Sequence, residues 1–288
     1  MIPGAHDAES GARSSDHWLQ VRVHPGENRE AVLAALFSAG AASVQEVGEQ
    51  LVTVLEDDAR SDTVTCAVLA ASPGARVDTE PTTPLDWSER WKQGLRAQEL
   101  GPIVVAPPWL ASRYDPASTV IIDPGMAFGT GEHPTTRGVV RLLSRVVRHG
   151  DRVADLGAGS AVLSIAAAKL GASRVVAIEI DPDAIGNAQA NVERNGVTER
   201  VTVLEGDARV LLPLVAPVRL VIANIISSAL LEMLPTMAPA LSVDGEAILG
   251  GILRQERDEL LAAIAAGGWR VTFEDHEDPW WSVAITRS

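Results

Sequence analysis

The chain has 288 residues, of which 46% are hydrophobic and 22% charged, and its formal net charge is −14. This composition is typical of about two folded domains, and it argues against a nucleic-acid-binding protein, which needs a broad basic surface. No apolar run reaches the ~18 residues of a membrane span, so we expect no membrane association. The single cysteine, Cys66, excludes an intramolecular disulfide framework and favours the cytoplasm. Because it lies in an apolar stretch, we expect a buried thiol.

The N-terminal part of the sequence predicts a tail followed by a small α+β domain. Residues 1–16 lack the basic start and apolar block of a secretory signal, so we expect a disordered tail. Over residues 17–80 the patterns predict strand, helix, strand, strand, helix, strand, with helix ends near Gly40 and Pro73. This order is that of a ferredoxin-like sandwich. No residue there indicates catalysis, so we expect the domain to recognise the substrate.

The remaining sequence predicts a linker and a larger α/β domain. Residues 81–100 contain two prolines and then a helical pattern that begins near Asp86, which predicts a linker with a helix. Apolar strand patterns follow, and from Gly150 onward strands alternate with helices. Alternation of this kind predicts a mostly parallel sheet with helices on both faces, and the last two strands resemble an antiparallel pair. We therefore assign residues 101–288 to one Rossmann-like domain.

A glycine-rich stretch, "DLGAGSAVLSIAAAKLGA" (Asp155–Ala172), predicts a strand, a tight turn and a helix. Gly157 and Gly159 allow a ligand to approach the backbone closely. A dinucleotide turn has a third glycine, but this chain has Ala161, and Asp155 would repel a pyrophosphate while favouring a cationic ligand. The turn therefore favours S-adenosylmethionine over NAD, and a purely structural turn is the alternative.

Three later strand ends also carry polar residues. Glu179 ends the next strand, at a separation from the turn where an acid can accept hydrogen bonds from ribose hydroxyls. Its alternative is an exposed carboxylate, and Asp181 could exchange roles with it. Asp207 follows the third strand and could accept an adenine amino group, or have no such role. Asn224 ends the fourth strand and could orient a substrate amine through its amide oxygen or cap the next helix.

The stretch "DPGMAFGTGEHPTTR" (Asp123–Arg137) predicts a loop that wraps a ligand, because no ordinary turn needs three glycines and two prolines. Thr135 and Thr136 are predicted to cap a helix that begins near Arg137, and a hydroxyl there can also reach a cofactor. His133 has no partner at the spacing of metal ligands, and the six histidines and one cysteine form no cluster, so we expect no metal site.

The loop, the glycine-rich stretch, "AIEIDP" and "VIANI" resemble, in this order and spacing, the bacterial ribosomal protein L11 methyltransferases. "DWSERWKQGL" and "VVAPPW" resemble that family's linker and first strand. The resemblance covers nearly all of the chain after Asp16. It implies a ferredoxin-like substrate domain, a linker helix and a class I S-adenosylmethionine domain. The family commonly has Asp at the position of Glu179 and Gly at that of Ala161, and neither difference is expected to inactivate the site.

The resemblance implies cofactor contacts at Thr136, Gly157, Glu179 and Asn224, and methyl transfer to lysine side-chain and N-terminal amines of protein L11, a basic partner. Together with the residue-based analysis it gives the predicted cofactor site: Phe128, Thr136, Asp155, Gly157, Gly159, Glu179, Asp207 and Asn224. Three alternatives stay open, namely a methyltransferase of another protein or a small molecule, a nicotinamide-dependent dehydrogenase, and a binding protein without catalysis.

Overall fold

The computed structural model describes residues 18–26, 28–41, 44–47, 50–55, 61–82, 95–123 and 131–288. The chain divides into two compact units, Met1–Gly94 and Leu95–Ser288. The predicted tail, the predicted helix near Asp86 and Phe128 lie outside the described residues. None of the helices described is both long enough and apolar enough to span a bilayer.

The described residues of the first unit form a four-stranded antiparallel sheet with two helices. Its elements are β1 (Trp18–His24), α1 (Arg29–Ser38), β2 (Gln45–Val47), β3 (Gln50–Leu55), α2 (Ser61–Ala71) and β4 (Arg76–Thr82). The strand order is β2-β3-β1-β4, so β1 pairs with both β3 and β4. The sheet and both helices share one apolar core that includes Val21, Leu36 and Val64. The predicted ferredoxin-like arrangement is confirmed.

Cys66 is exposed, so the prediction of a buried thiol is wrong. Helix α2 buries Val64 and Val68, which are four residues apart and therefore share one face. Cys66 lies midway between them in sequence, which turns it about 200° away from that face. The prediction rested on the apolar composition of the stretch and did not consider which face of the helix Cys66 occupies.

The second unit contains a seven-stranded sheet. Its elements are β5 (Gln98–Leu100), β6 (Ile103–Ala106), α3 (Pro108–Ala111), β7 (Thr119–Ile121), α4 (Pro134–Val146), β8 (Arg152–Leu156), α5 (Val162–Lys169), β9 (Arg174–Glu179), α6 (Pro182–Arg194), β10 (Val201–Glu205), α7 (Ala208–Val215), β11 (Val218–Asn224), α8 (Ser227–Ala240), β12 (Leu241–Leu253), α9 (Arg257–Ala266), β13 (Trp269–Glu277) and β14 (Trp280–Arg287). Strands β5, β6 and β7 form a separate small sheet. Strand β5 was not predicted.

The large sheet has the order β10-β9-β8-β11-β12-β14-β13. The strands from β10 to β12 are parallel, whereas β14 is antiparallel to both β12 and β13. Its two faces have separate apolar cores, one packed against α4, α5 and α6 and the other against α7, α8 and α9. This is the predicted Rossmann-like architecture. Chain order reverses between β8 and β11, and in open α/β sheets ligands bind beyond the carboxyl ends of strands at such a point.

Candidate functional site

The glycine turn, residues Gly157–Ala161, joins β8 to α5 through three residues with positive φ. The φ angles are 71° at Gly157, 52° at Gly159 and 64° at Ala161. A Cβ atom added to Gly157 would lie 2.6 Å from Cγ2 of Ile225, so glycine is required there for space as well as conformation. Ala161 is the only non-glycine residue with positive φ in the described part of the chain. Its fully buried methyl group therefore occupies a backbone conformation that costs about 1–2 kcal/mol for an L-residue.

Glu179 links the end of β9 to the glycine turn through hydrogen bonds. Its carboxylate accepts hydrogen bonds from the backbone N–H groups of Ile180 (2.8 Å) and Asp181 (2.9 Å) on one oxygen and of Gly159 (2.8 Å) on the other. The residue is only 8% exposed, so the alternative of an exposed strand-end carboxylate is wrong. Asp181 instead caps α6 by accepting from the N–H of Asp183.

Asp155, at the carboxyl end of β8, is completely buried. Its Oδ2 accepts a hydrogen bond of 2.7 Å from the hydroxyl of Ser164 on α5. Burial raises the pKa of the Asp155 carboxyl to about 7; the hydrogen bonds with Ser164 oppose this shift, and the charge of Glu179 adds to it. Its Oδ1 has no hydrogen-bond partner.

Three buried side-chain oxygens in the described part of the chain lack any hydrogen-bond partner. They are Oγ1 of Thr136, Oδ1 of Asp155 and Oδ1 of Asn224, hereafter the unpartnered oxygens. Leaving such a group unsatisfied in a protein interior costs about 1–3 kcal/mol, so native structures rarely do so without a reason. All three belong to residues that the sequence predicted to hold the cofactor. Polar atoms of this kind are what a small polar ligand would satisfy.

A cleft of about 290 Å³ opens at the carboxyl ends of the central strands and is hereafter the strand-end cleft. Its lining is mainly apolar and includes three charged residues: Leu156, Gly157, Ile178, Ile180, Gly206, Asp207, Ala208, Arg209, Ile225, Ala229, Glu232 and Met233. Three larger clefts, of about 600, 520 and 330 Å³, lie away from the carboxyl ends of the central strands. Neither they nor the strand-end cleft is lined by the residues with unpartnered oxygens, although Leu156 and Gly157 of its lining directly follow Asp155 and Ile225 directly follows Asn224. The strand-end cleft is the better ligand site, because it lies where the sheet order reverses.

Asp207 lies on the rim of the strand-end cleft and caps α7. One carboxylate oxygen accepts from the N–H of Arg209 at 2.8 Å, and the other pairs with the guanidinium of the same residue at 2.7 Å. The side-chain hydrogen bond from Arg209 lowers the pKa of Asp207. The carboxylate is therefore an ionised acceptor at neutral pH.

Asn224 ends β11 directly opposite Gly250 of β12. It does not cap the following helix, because the N-cap position of α8 is Ile226 and has no side-chain cap. The capping alternative is therefore wrong.

Thr136 lies in the first turn of α4, which begins at Pro134 rather than near Arg137. The N-cap is His133, whose ring accepts from the N–H of Thr135. Burial lowers the pKa of the His133 ring, with a further contribution from the charge of Arg137. The prediction that Thr135 and Thr136 cap this helix is wrong, and both are buried within its first turn.

A ladder of asparagines on α6 was missed from the sequence. Asn191, fully buried, accepts from the N–H of Asp123 (3.0 Å) and donates to the carbonyl of Ser160 in the glycine turn (3.2 Å). Asn195 pairs with both the N–H and the carbonyl of Ile121. The spacing of four residues between these asparagines could have predicted the ladder, because it places their side chains on one face of the helix.

Comparison with known proteins identifies one family. Residues 17–288 match the family model described as ribosomal protein L11 methyltransferase. A curated relative with that name from Pelotomaculum thermopropionicum is 40% identical over 76% of this chain and 71% of its own length. Another, from Thermus thermophilus, is 40% identical over 70% of this chain and 78% of its own length. The crystal structure titled ribosomal protein L11 methylase from Lactobacillus delbrueckii subsp. bulgaricus has a TM-score of 0.60 and 29% identity, covering 67% of this chain and 99% of that one.

Proposed function

This chain belongs to the ribosomal protein L11 methyltransferase family, and from that premise we propose that it transfers methyl groups from S-adenosylmethionine to amines of protein L11. The target amines are lysine side chains and the N-terminal amine. The observation that carries the proposal is the set of unpartnered oxygens on Thr136, Asp155 and Asn224, which lie on residues predicted to contact the cofactor.

The described residues fit this cofactor. The apolar walls of the strand-end cleft suit a flat purine ring, and Asp207 on its rim accepts the exocyclic amino group. The carboxylate of Glu179 already accepts three backbone N–H groups. Since a carboxylate offers about four acceptor positions, it retains capacity for a ribose hydroxyl. Gly157 and Gly159 bring the backbone of the turn close to the ligand.

Bound S-adenosylmethionine supplies a methyl group that its positively charged sulfur already activates. The task of this chain is therefore to hold a neutral amine in line with that methyl group. Burial of the amine in an apolar site lowers its pKa, so that the neutral form is available for attack. We assign its orientation to Asn224, whose free amide oxygen accepts an amine N–H and so directs the lone pair away from itself.

The substrate proposal extends to the rest of the chain. We assign recognition of the protein substrate to the ferredoxin-like first unit and catalysis to the second unit, which begins at Leu95 and therefore includes β5, a strand that the predicted linker (81–100) had contained. The net charge of −14 favours encounter with a basic protein. We expect the protein to act in the cytoplasm, because its proposed substrate is a ribosomal protein.

The test is methylation by the full chain of purified protein L11 with isotope-labelled S-adenosylmethionine, followed by mass spectrometry. We expect label on lysine and N-terminal amines, and much less label with the Asn224→Ala variant at equal cofactor occupancy. Calorimetry with NAD is the control for a dehydrogenase and should show no binding. Label on a different protein of a ribosomal extract, with none on L11, would overturn the substrate assignment.

A further inference from the structure

Strand β12 carries a pair of glycines, Gly250 and Gly251, opposite a single residue of β14. The strand register passes from Leu249 paired with Val283 to Ile252 paired with Trp281. Two residues of β12 therefore face only Ser282, which defines a β-bulge. Bulges beside functional sites commonly redirect a side chain, and this one lies at the carboxyl end of the sheet beside Asn224.

The missing side chain of Gly250 provides the space that Asn224 occupies. A Cβ atom at Gly250 would lie 2.7 Å from Oδ1 of Asn224 and 2.5 Å from Cγ2 of Val139. Both distances are far shorter than a van der Waals contact. Gly250 has no positive φ, so its backbone conformation alone would accept alanine. What requires glycine here is the space.

The same glycine brings α4 close to Asn224. Because Cγ2 of Val139 and Oδ1 of Asn224 both border one vacant Cβ position, the two atoms lie near each other. Val139 is one turn beyond Thr136 on α4 and shares a face with it. The face of α4 that carries Oγ1 of Thr136 therefore lies close to Asn224, whose Oδ1 is also unpartnered.

Gly251 fixes the next peptide in the same way. Its φ is 81°, and a Cβ atom there would lie 2.2 Å from the carbonyl oxygen of Ile225. The bulge therefore packs against the side chain of Asn224 at Gly250 and against the backbone of the next residue, Ile225, at Gly251.

We propose that Gly250 is a positioning residue for methyl transfer. Because it has no side chain, the amide oxygen of Asn224 stays in place to accept a hydrogen bond from the target amine. This inference rests on the proposed function, since it presumes that Asn224 orients the amine. A methyl group at position 250 displaces the Asn224 amide by about 1 Å, and a misplacement of that size can cost about 100-fold in rate.

The test compares kcat for methylation of protein L11 and the dissociation constant of S-adenosylmethionine in Gly250→Ala, Asn224→Ala and the double variant. For Gly250→Ala we expect kcat to fall about 100-fold, with cofactor affinity changed by less than about 3-fold. In the Asn224→Ala background the same change should lower kcat by less than about 3-fold, because the amide it displaces is gone.

Two further variants separate positioning from loss of packing. Gly245→Ala is the matched control on the same strand, since its Cβ would lie 2.7 Å from Cβ of Leu241, near the opposite end of β12. It should lower stability and leave kcat per folded molecule normal. Adding Val139→Ala to Gly250→Ala relieves the contact with α4 alone, so the fold recovers while kcat stays low.

The results distinguish the two proposals. Normal kcat in folded Gly250→Ala, or equal rate losses from Gly250→Ala with and without Asn224, overturns the positioning role and leaves the proposed function standing. Absence of L11 methylation by the unaltered chain overturns the proposed function itself. Full activity of Asn224→Ala overturns the assigned role of Asn224 and, with it, that of Gly250.

Discussion

The buried carboxyl of Asp155 should make the stability of the fold depend on pH in a defined direction. Its pKa rises from 3.8 to about 7 on folding because burial penalises the charged form. Between these two values the folded chain holds a proton that the unfolded chain lacks, so each pH unit lowers the free energy of unfolding by about 1.4 kcal/mol. The stability present below pH 4 is therefore lost by about pH 7, by roughly 4 kcal/mol in total.

The Asp155→Asn variant removes this titration and keeps the size of the side chain. We expect its free energy of unfolding, relative to the unaltered chain, to rise by about 3 kcal/mol between pH 5 and pH 8. Urea unfolding followed by circular dichroism at both pH values measures this difference, and groups that titrate in both proteins cancel. Asp207→Asn is the control, because Arg209 lowers the pKa of Asp207 and removing that carboxylate gives no gain at pH 8. An identical difference at pH 5 and pH 8 would refute the reasoning.

Three other perturbations probe the turn, its acid and the domain organisation. Glu179→Ala should lower S-adenosylmethionine affinity by about 10- to 100-fold. It should also lower the melting temperature, since three backbone N–H groups lose their acceptor. An unchanged dissociation constant in calorimetry would exclude Glu179 as a ribose contact. Ala166→Gly, inside α5, should lower the free energy of unfolding by about 1 kcal/mol. Ala161→Gly should lower it less or raise it, because glycine adopts the positive φ of this position without strain. Equal urea midpoints for the two variants would contradict this expectation. Deletion of the residues before Leu85 should leave S-adenosylmethionine binding intact and nearly abolish methylation of protein L11, and a fully active truncated chain would show that the remaining domain recognises the substrate by itself.

The fold was predictable because its apolar periodicities are strong and locally consistent. Alternating strands and helices after Gly150 predicted the parallel sheet, and the patterns in the first unit predicted the order of its elements along the chain. Errors arose where a property depends on helical phase or on the residue at which a helix begins. Cys66 points away from the buried face of α2, and α4 begins earlier than its threonines suggested, with His133 as its cap.

Residues were assigned to the cofactor site from the sequence, and that assignment stays a prediction, whereas the contacts of these residues could not be predicted. The polar strand ends predicted that Glu179 and Asn224 lie at one edge of the sheet, because parallel strands bring their carboxyl ends together there. Their partners were not predictable, since they come from distant parts of the chain. The N–H of Gly159, the hydroxyl of Ser164 and the vacant side-chain position of Gly250 became visible only in three dimensions.

The asparagine ladder on α6 has a consequence for anyone who wishes to redesign this enzyme for a modified methyl donor. One buried amide, that of Asn191, holds both Asp123, where the chain leaves β7, and Ser160 in the glycine turn. A mutant library that varies only the segment at Asp123 or only the glycine turn would disrupt one of these two hydrogen bonds of Asn191 and keep the other. Segment exchange between relatives should therefore carry α6 along with the turn, as one transferable cassette.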